Sequence, residues 1–131
     1  MFNSIDISTS GLVAQRVRMN ISAANLANID SFTADGKPYQ RRSVIFQVGT
    51  DAHDRSGQGV HVAAIDKQHT YRWEYNPDHP FANEDGYVKK PGIDQITETL
   101  NGMEAQRAYE ANVTAIEVTK AMLNSSLRLL A

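Results

Sequence analysis

The sequence predicts a mainly α protein with a small β region. An N-terminal and a C-terminal helix pair in a coiled-coil-like body, with a small β-hairpin or sheet between them. Three observations lead there. All four prolines lie between Pro38 and Pro91, and six of the eight glycines between Gly36 and Gly92, so both flanks are almost free of helix breakers. Ile5, Leu12, Met19 and Leu26 recur every seven residues, a repeat that favours left-handed supercoiling around a partner helix. Seven of the ten aromatics lie between Tyr39 and Tyr87, in segments where apolar and polar residues alternate as in half-buried strands. The expected boundaries are 1–30 for the first helix, 31–92 for the central region and 93–131 for the last helix.

The first helix is expected over residues 4–28, roughly 38 Å long at ~1.5 Å per residue. Ala23 joins the seven-residue stripe, and Val13, Val17 and Ala24 form a second shoulder. Asn3 or Ser4 is expected to cap its start and Asn28 its end. The run Ala23-Ala24-Asn25-Leu26-Ala27-Asn28 has two readings. It is either an ordinary helix end, or a close-packing face whose Asn side chains bridge backbone groups of neighbours.

In the middle, period-2 patterns predict strands over Tyr39–Val48, Val60–Ile65 and Tyr71–Tyr75. Asp35-Gly36 and Gly57-Gln58-Gly59 mark turns, Asn76-Pro77-Asp78-His79-Pro80 an irregular loop, and 49–59 a variable loop. About 55 residues make a marginal core, so this piece is expected to lean on the helices.

The last helix carries two apolar faces. Ile93, Ile96, Leu100, Met103, Ala111, Ala115, Val118, Met122 and Leu129 form one. Tyr109, Val113, Ile116, Leu123, Leu127 and Leu130 form the other. A single core needs one stripe, so two stripes imply two neighbours. The expectation is that Leu12, Met19 and Leu26 pack on the first face while Tyr109, Ile116 and Leu123 meet a neighbouring subunit. Glu104, Arg107 and Glu110, three apart, are expected to pair along the helix.

Composition narrows the function. The 131 residues allow one small domain, and Ile, Leu, Val and Phe make up 29 of them, enough to fold with little apolar surface to spare. A net charge of -2 argues against a nucleic-acid binder, which needs a basic excess. With no cysteine there is no disulfide framework or thiol nucleophile. No run of about 20 apolar residues would span a bilayer, so no membrane insertion is expected. Met1–Ser10 lacks the basic and apolar regions of a Sec-type signal peptide.

The four histidines, His53, His61, His69 and His79, have no metal-ligand spacing and read as structural, so neither a metal nor a cofactor is expected. No phosphate-binding glycine loop or nucleophile motif occurs, and Glu84-Asp85 beside Gly86 reads as a solvated turn. Arg41-Arg42, with Lys37 and Tyr39 nearby, reads as solvated strand charge, or as cations that pair with acids of a neighbouring subunit.

Several stretches resemble a known family. Ser10-Gly11-Leu12, Ala14-Gln15, Arg18 and Asn25-Leu26-Ala27-Asn28 resemble the N-terminal signature of bacterial flagellar axial proteins, the rod and hook group. The run from Met103 to Asn112 (MEAQRAYEAN) resembles the group's C-terminal helix motif. Gly36–Arg41, Tyr75–Pro80 and Asp85–Pro91 resemble its short proximal rod subunits.

The resemblance implies a non-enzymatic structural subunit of the flagellar basal body, polymerising through its terminal helices into a hollow drive shaft. Its partners would be copies of itself, other rod subunits and the export-gate adaptor protein at the rod base. It would be exported unfolded by the flagellar type III apparatus, without a cleavable signal peptide, into the periplasm-spanning rod. The expected assembly interface comprises Leu12, Met19, Asn25, Leu26, Asn28, Met103, Arg107, Tyr109, Asn112, Ile116, Leu123 and Leu127. The rival readings are a sibling axial subunit, to be separated by its position in an isolated basal body, and a small metal-dependent hydrolase, to be separated by bound zinc or iron.

Overall fold

A computed structural model of the chain describes residues 2–49 and 58–130. Helix α1 spans Phe2–Ala27 and helix α2 spans Gln95–Leu130. Between them lie β1 (Arg41–Val48), β2 (Val60–Gln68), β3 (Tyr71–Tyr75) and β4 (Tyr87–Pro91). The strands form two antiparallel pairs, β1 with β2 and β3 with β4. The fold class is the one expected, with two small sheets in the central region. The variable loop and His53 fall largely or wholly outside the described residues.

Each helix ends where its sequence supplies a stop. Asn28 closes α1: its backbone N–H and its side-chain Nδ2 both donate to Ala24 O, at 3.1 and 2.8 Å. The start differs from expectation. Asn3 and Ser4 lie inside the first turn, because the helix already begins at Phe2. Asp94 caps α2 by accepting hydrogen bonds from the backbone N–H (3.0 Å) and the hydroxyl of Thr97. Ile93 therefore precedes the helix, and it is buried.

In the hairpin β1–β2 the register runs from Arg41 opposite Gln68 to Val48 opposite Val60, with a bulge at Ile45/Phe46. Its far end is tied to α1, where the Ser10 hydroxyl accepts from Val60 N at 3.1 Å. Strand β4 was not anticipated. It pairs Tyr71 with Pro91 and Tyr75 with Tyr87, and turns at Gly86, whose φ of 80° suits glycine. Lys90 bonds Glu74 Oε1 across this hairpin (2.9 Å) and fastens it to the chain leaving α1 through Asp30 Oδ1 (3.2 Å). The Glu74 bond, with Asp30, raises the Lys90 pKa above its ordinary 10.5 against the opposing effect of desolvation.

The two helices are antiparallel. Asn25 meets Glu98, Arg18 meets Glu104, and Gly11 lies against Asn112. These pairs of residue numbers sum to roughly 123, so the N-terminus of α1 stands level with about residue 121 of α2. The helices are about 39 and 54 Å long at ~1.5 Å per residue, and the last nine or so residues of α2, about 13 Å, run past α1. The Arg18–Glu104 bridge at 3.1 Å replaces the expected Glu104–Arg107 pair, and Glu110 accepts instead from Gln106 at 3.0 Å.

Gly11 shows why a glycine is tolerated mid-helix. A Cβ there would stand 2.8 Å from Asn112 Nδ2, which already donates to Ala108 O at 3.0 Å. Alanine would gain about 1 kcal/mol of helix propensity but displace the end of that side chain. Gly11→Ala is therefore expected to change stability by less than ~1 kcal/mol. Gly11→Leu would force the helices apart and is expected to lose roughly 1–3 kcal/mol. Urea unfolding of the two variants checks this.

Candidate assembly interface

One end of the helix pair, where α1 finishes and α2 begins, is polar. The Asn25 carboxamide binds both backbone groups of Arg42, donating from Nδ2 to its carbonyl (2.8 Å) and accepting its N–H on Oδ1 (3.0 Å). The same Nδ2 donates to Glu98 Oε2 at 3.0 Å. The other Glu98 oxygen takes the Arg41 guanidinium, with Nη2 at 2.6 Å and Nε at 2.7 Å, while Arg41 Nη1 donates to Gln68 Oε1 at 2.7 Å. Glu98 and Asn25 are 1% and 0% exposed. One cluster thus joins α1, β1, β2 and the first turn of α2, where the helix dipole also favours a carboxylate.

Asn25 was expected at the assembly interface, and its motif was read either as a helix end or as a face that bridges neighbours. The bridging occurs inside the chain. Arg41, read as solvated or as a partner for another subunit, is consumed by Glu98, which sequence reasoning overlooked. The missed cap, Asp94 with Thr97 three residues on, does carry a readable signal, an acid ahead of an apolar-periodic run.

Apart from this cluster, little is buried. Ala14, Val88, Ile93 and Ala105 are the buried hydrophobic residues, whereas sixteen large hydrophobics are exposed among the described residues. On α2 six of the seven exposed ones, all but Leu127, form a line: Ile96 (71%), Leu100 (56%), Met103 (49%), Val118 (48%), Met122 (58%) and Leu129 (87%). At 100° per residue they share the face turned away from Glu98, Ala105 and Asn112.

The expected assignment of the two faces is therefore reversed. Tyr109, Ile116 and Leu123 are half-buried on the side turned to α1, and the face led by Ile96 and Leu100 is open. Gly11, Arg18, Ser22 and Asn25 of α1 meet α2 along one line. Leu12, Met19 and Leu26 lie about 100° round the helix from that line, half-buried. The reason is close approach: small and hydrogen-bonding residues let the backbones near each other, and the larger side chains fill the flanks. Of the remaining expected interface residues, Met103, Arg107 and Leu127 are exposed, while Asn28 and Asn112 are committed to carbonyls of their own helices.

The three described histidines, His61, His69 and His79, serve local structure. His61 Nδ1 donates to Gly49 O at 3.0 Å, His69 Nδ1 lies 3.0 Å from Gln40 Nε2, and the His79 ring packs in a cluster with Phe32 and Phe81. Among the described residues no three His, Asp or Glu side chains gather as a metal site, and no helix is long and apolar enough to cross a membrane.

Two paired terminal helices, a polar clasp at one end and an uncovered apolar line along the longer helix define a structural subunit that packs with others. Comparison with known proteins specifies the kind. A family model described as "Flagella basal body rod protein" matches residues 5–33, and one described as "Flagellar basal body rod FlgEFG protein C-terminal" matches 84–129. The flagellar basal-body rod protein FlgC of Aquifex aeolicus is 42% identical over 92% of this chain and 90% of its own length. FlgC of Salmonella typhimurium is 41% identical and that of Bacillus subtilis 36%, each over 98% of this chain and 97% of its own length. The chain belongs to the FlgC family of flagellar basal-body rod proteins, and it is a structural subunit of the rod.

Two outcomes follow from the clasp and the cap. Asn25→Ala removes the partner of the Arg42 N–H, the Arg42 carbonyl and one Glu98 oxygen, and the buried Glu98 oxygen alone costs about 1–3 kcal/mol. Asn25→Asp is expected to be worse, because it sets a second carboxylate beside Glu98. Chemical denaturation of both variants checks the order. Hydrogen bonds from Thr97 hold the Asp94 carboxyl below its ordinary 3.8. A depressed carboxyl stabilises the fold above that value and loses its effect as pH falls through the lower folded value. The Tm difference between wild type and Asp94→Ala is thus expected to be constant near neutrality and to shrink below pH 3.8.

Proposed function

We propose that this chain builds the proximal part of the rod, polymerising with copies of itself and with other rod subunits into a hollow shaft that carries motor torque. The paired helices of 1–30 and 93–131 form its inner body, beside the export channel, and residues 31–92 face outward. The observation that carries this reading is the uncovered line from Ile96 to Leu129, continued by the end of α2 that runs past α1. The export-gate adaptor protein at the base of the rod is the further partner proposed. Passage unfolded through the flagellar export apparatus, without a cleaved leader, is the proposed route. The marginal apolar content and the small buried core support it, because such a chain unfolds at low cost.

Magnitudes favour assembly through many contacts. Fully burying a large apolar side chain contributes about 1.5–3 kcal/mol, so six that are on average about three-fifths exposed contribute roughly 5–11 kcal/mol. Association costs about 4–15 kcal/mol before any gain appears. A lone contact along α2 is close to break-even, so a subunit adds stably only where it touches several neighbours at once. That suits a shaft that grows on a template and stays monomeric before delivery.

The test compares two substitutions on opposite sides of α2. Val118→Glu is expected to leave the Tm of the isolated chain within about 2 °C, yet to abolish rod assembly and swimming. Ile116→Glu, on the half-buried side, is expected to lower the Tm itself. Normal motility with Val118→Glu would remove the open face from the assembly role.

A further inference from the structure

A second surface lies on the central region, away from the helix pair. A cleft of about 550 Å³ opens between the turn after α1 and the two hairpins, lined by Lys37, Arg42, Lys67 and Lys89 around Tyr39 and Tyr71. No carboxylate lines it. None of these four cations takes part in an ion pair among the described residues, whereas Arg18, Arg41, Arg72 and Lys90 all do. Arg42 and Lys67 stand directly opposite each other in the β1–β2 register. Like charges facing each other across an antiparallel pair are destabilising. Among the described residues no carboxylate pairs with either side chain to offset this cost.

The aromatic rings hold the charges in place. Lys89 Nζ sits 4.2 Å from the centre of the Tyr71 ring and 6.0 Å from that of Trp73, and the Arg42 guanidinium sits 5.6 Å from that of Tyr39. Tyr71 begins a row on one face of β3 that continues through Trp73 and Tyr75, which are 61% and 65% exposed. The cleft therefore runs into an open aromatic strip. A phosphate or a lipid headgroup would answer the cations and leave the strip unused. An extended peptide with acidic side chains followed by apolar ones would answer both.

We infer that this cleft is a docking site for an acidic, extended peptide segment of a neighbouring protein, with carboxylates held by Arg42, Lys67 and Lys89 and apolar side chains laid on Tyr71, Trp73 and Tyr75. That the neighbour is another rod component rests on the function proposed above. The binding site itself does not, because it is separate from the α2 face and can be measured on the isolated full-length chain.

The probe is a fluorescein-labelled Glu-Glu-Phe-Glu-Phe peptide, titrated by anisotropy at low and moderate salt. Saturable binding is expected, weakening with salt and falling at least ~10-fold in a Lys67→Gln/Lys89→Gln variant. A Gln-Gln-Phe-Gln-Phe peptide, inorganic phosphate and phosphatidylglycerol vesicles are expected neither to bind comparably nor to compete. Lys67→Gln should also unfold at the same temperature as wild type or higher, since it relieves the Arg42 pairing. The inference is overturned if the acidic peptide binds no better than its neutral counterpart or equally well to the double variant. Comparable binding or competition by phosphate or vesicles would equally overturn it, as would a clear loss of stability in Lys67→Gln. Peptide binding that persists in Val118→Glu, where assembly fails, would separate this site from the helical interface.

Discussion

The register of the two helices governs everything else in this chain. It is set at one end by Glu98, held by Asn25 and Arg41, and towards the other by Gly11 against Asn112. Those contacts decide which side of α2 is spent on α1 and how far α2 runs on alone. A buried ion pair is seldom a large net source of stability, because desolvating the charges offsets most of their attraction. Its strength lies in intolerance: removing one partner costs about 3–5 kcal/mol, so a shifted register that parts Glu98 from Arg41 is disfavoured by a similar amount. The clasp thus specifies the pairing and leaves the apolar side chains free for other uses.

That division of labour explains an unusual interior. Among the described residues Ala14, Val88, Pro91, Ile93 and Ala105 are buried beside Ser22, Asn25 and Glu98, while Ile96, Leu100, Met103, Val118 and Met122 of α2 lie outside. A monomer designed for its own stability would place Leu100 and Met122 within and the carboxylate without. A subunit whose stability is completed by neighbours has the opposite need. It requires enough specificity to present one face, and enough exposed apolar surface to make joining favourable. The half-buried flanks of α1, with Leu12, Met19 and Leu26, leave room for further contacts on that side as well.

Much of this was legible in the residues, and the exceptions have physical causes. The absence of proline from both flanks located both helices, and the period-2 patterns in Tyr39–Val48, Val60–Ile65 and Tyr71–Tyr75 located three of the four strands. Strand β4 was hidden because Val88-Lys89-Lys90-Pro91 reads as a charge doublet ahead of a breaker, and Pro91 is accommodated only at the strand's end. The two apolar faces of α2 were visible, but not which one packs inward. Hydrophobicity favours whichever face is greasier, whereas the outcome was decided by hydrogen bonds between residues 73 apart and by a glycine at the crossing. No local pattern announces such a pair. Arg41 and Arg42 show the same limit: adjacent and identical, one is used up by a buried acid and the other is left facing Lys67.

The central claim is that the chain by itself is only partly consolidated and that neighbours complete α2. Amide hydrogen exchange, measured on the isolated chain and on assembled rods, tests it most directly. In the isolated chain, protection should be greatest in α2 where Glu98 to Asn112 faces α1 and should fade beyond about residue 121. On assembly it should extend through Leu130. Uniform, strong protection of α2 in the isolated chain, unchanged in the rod, would contradict the account.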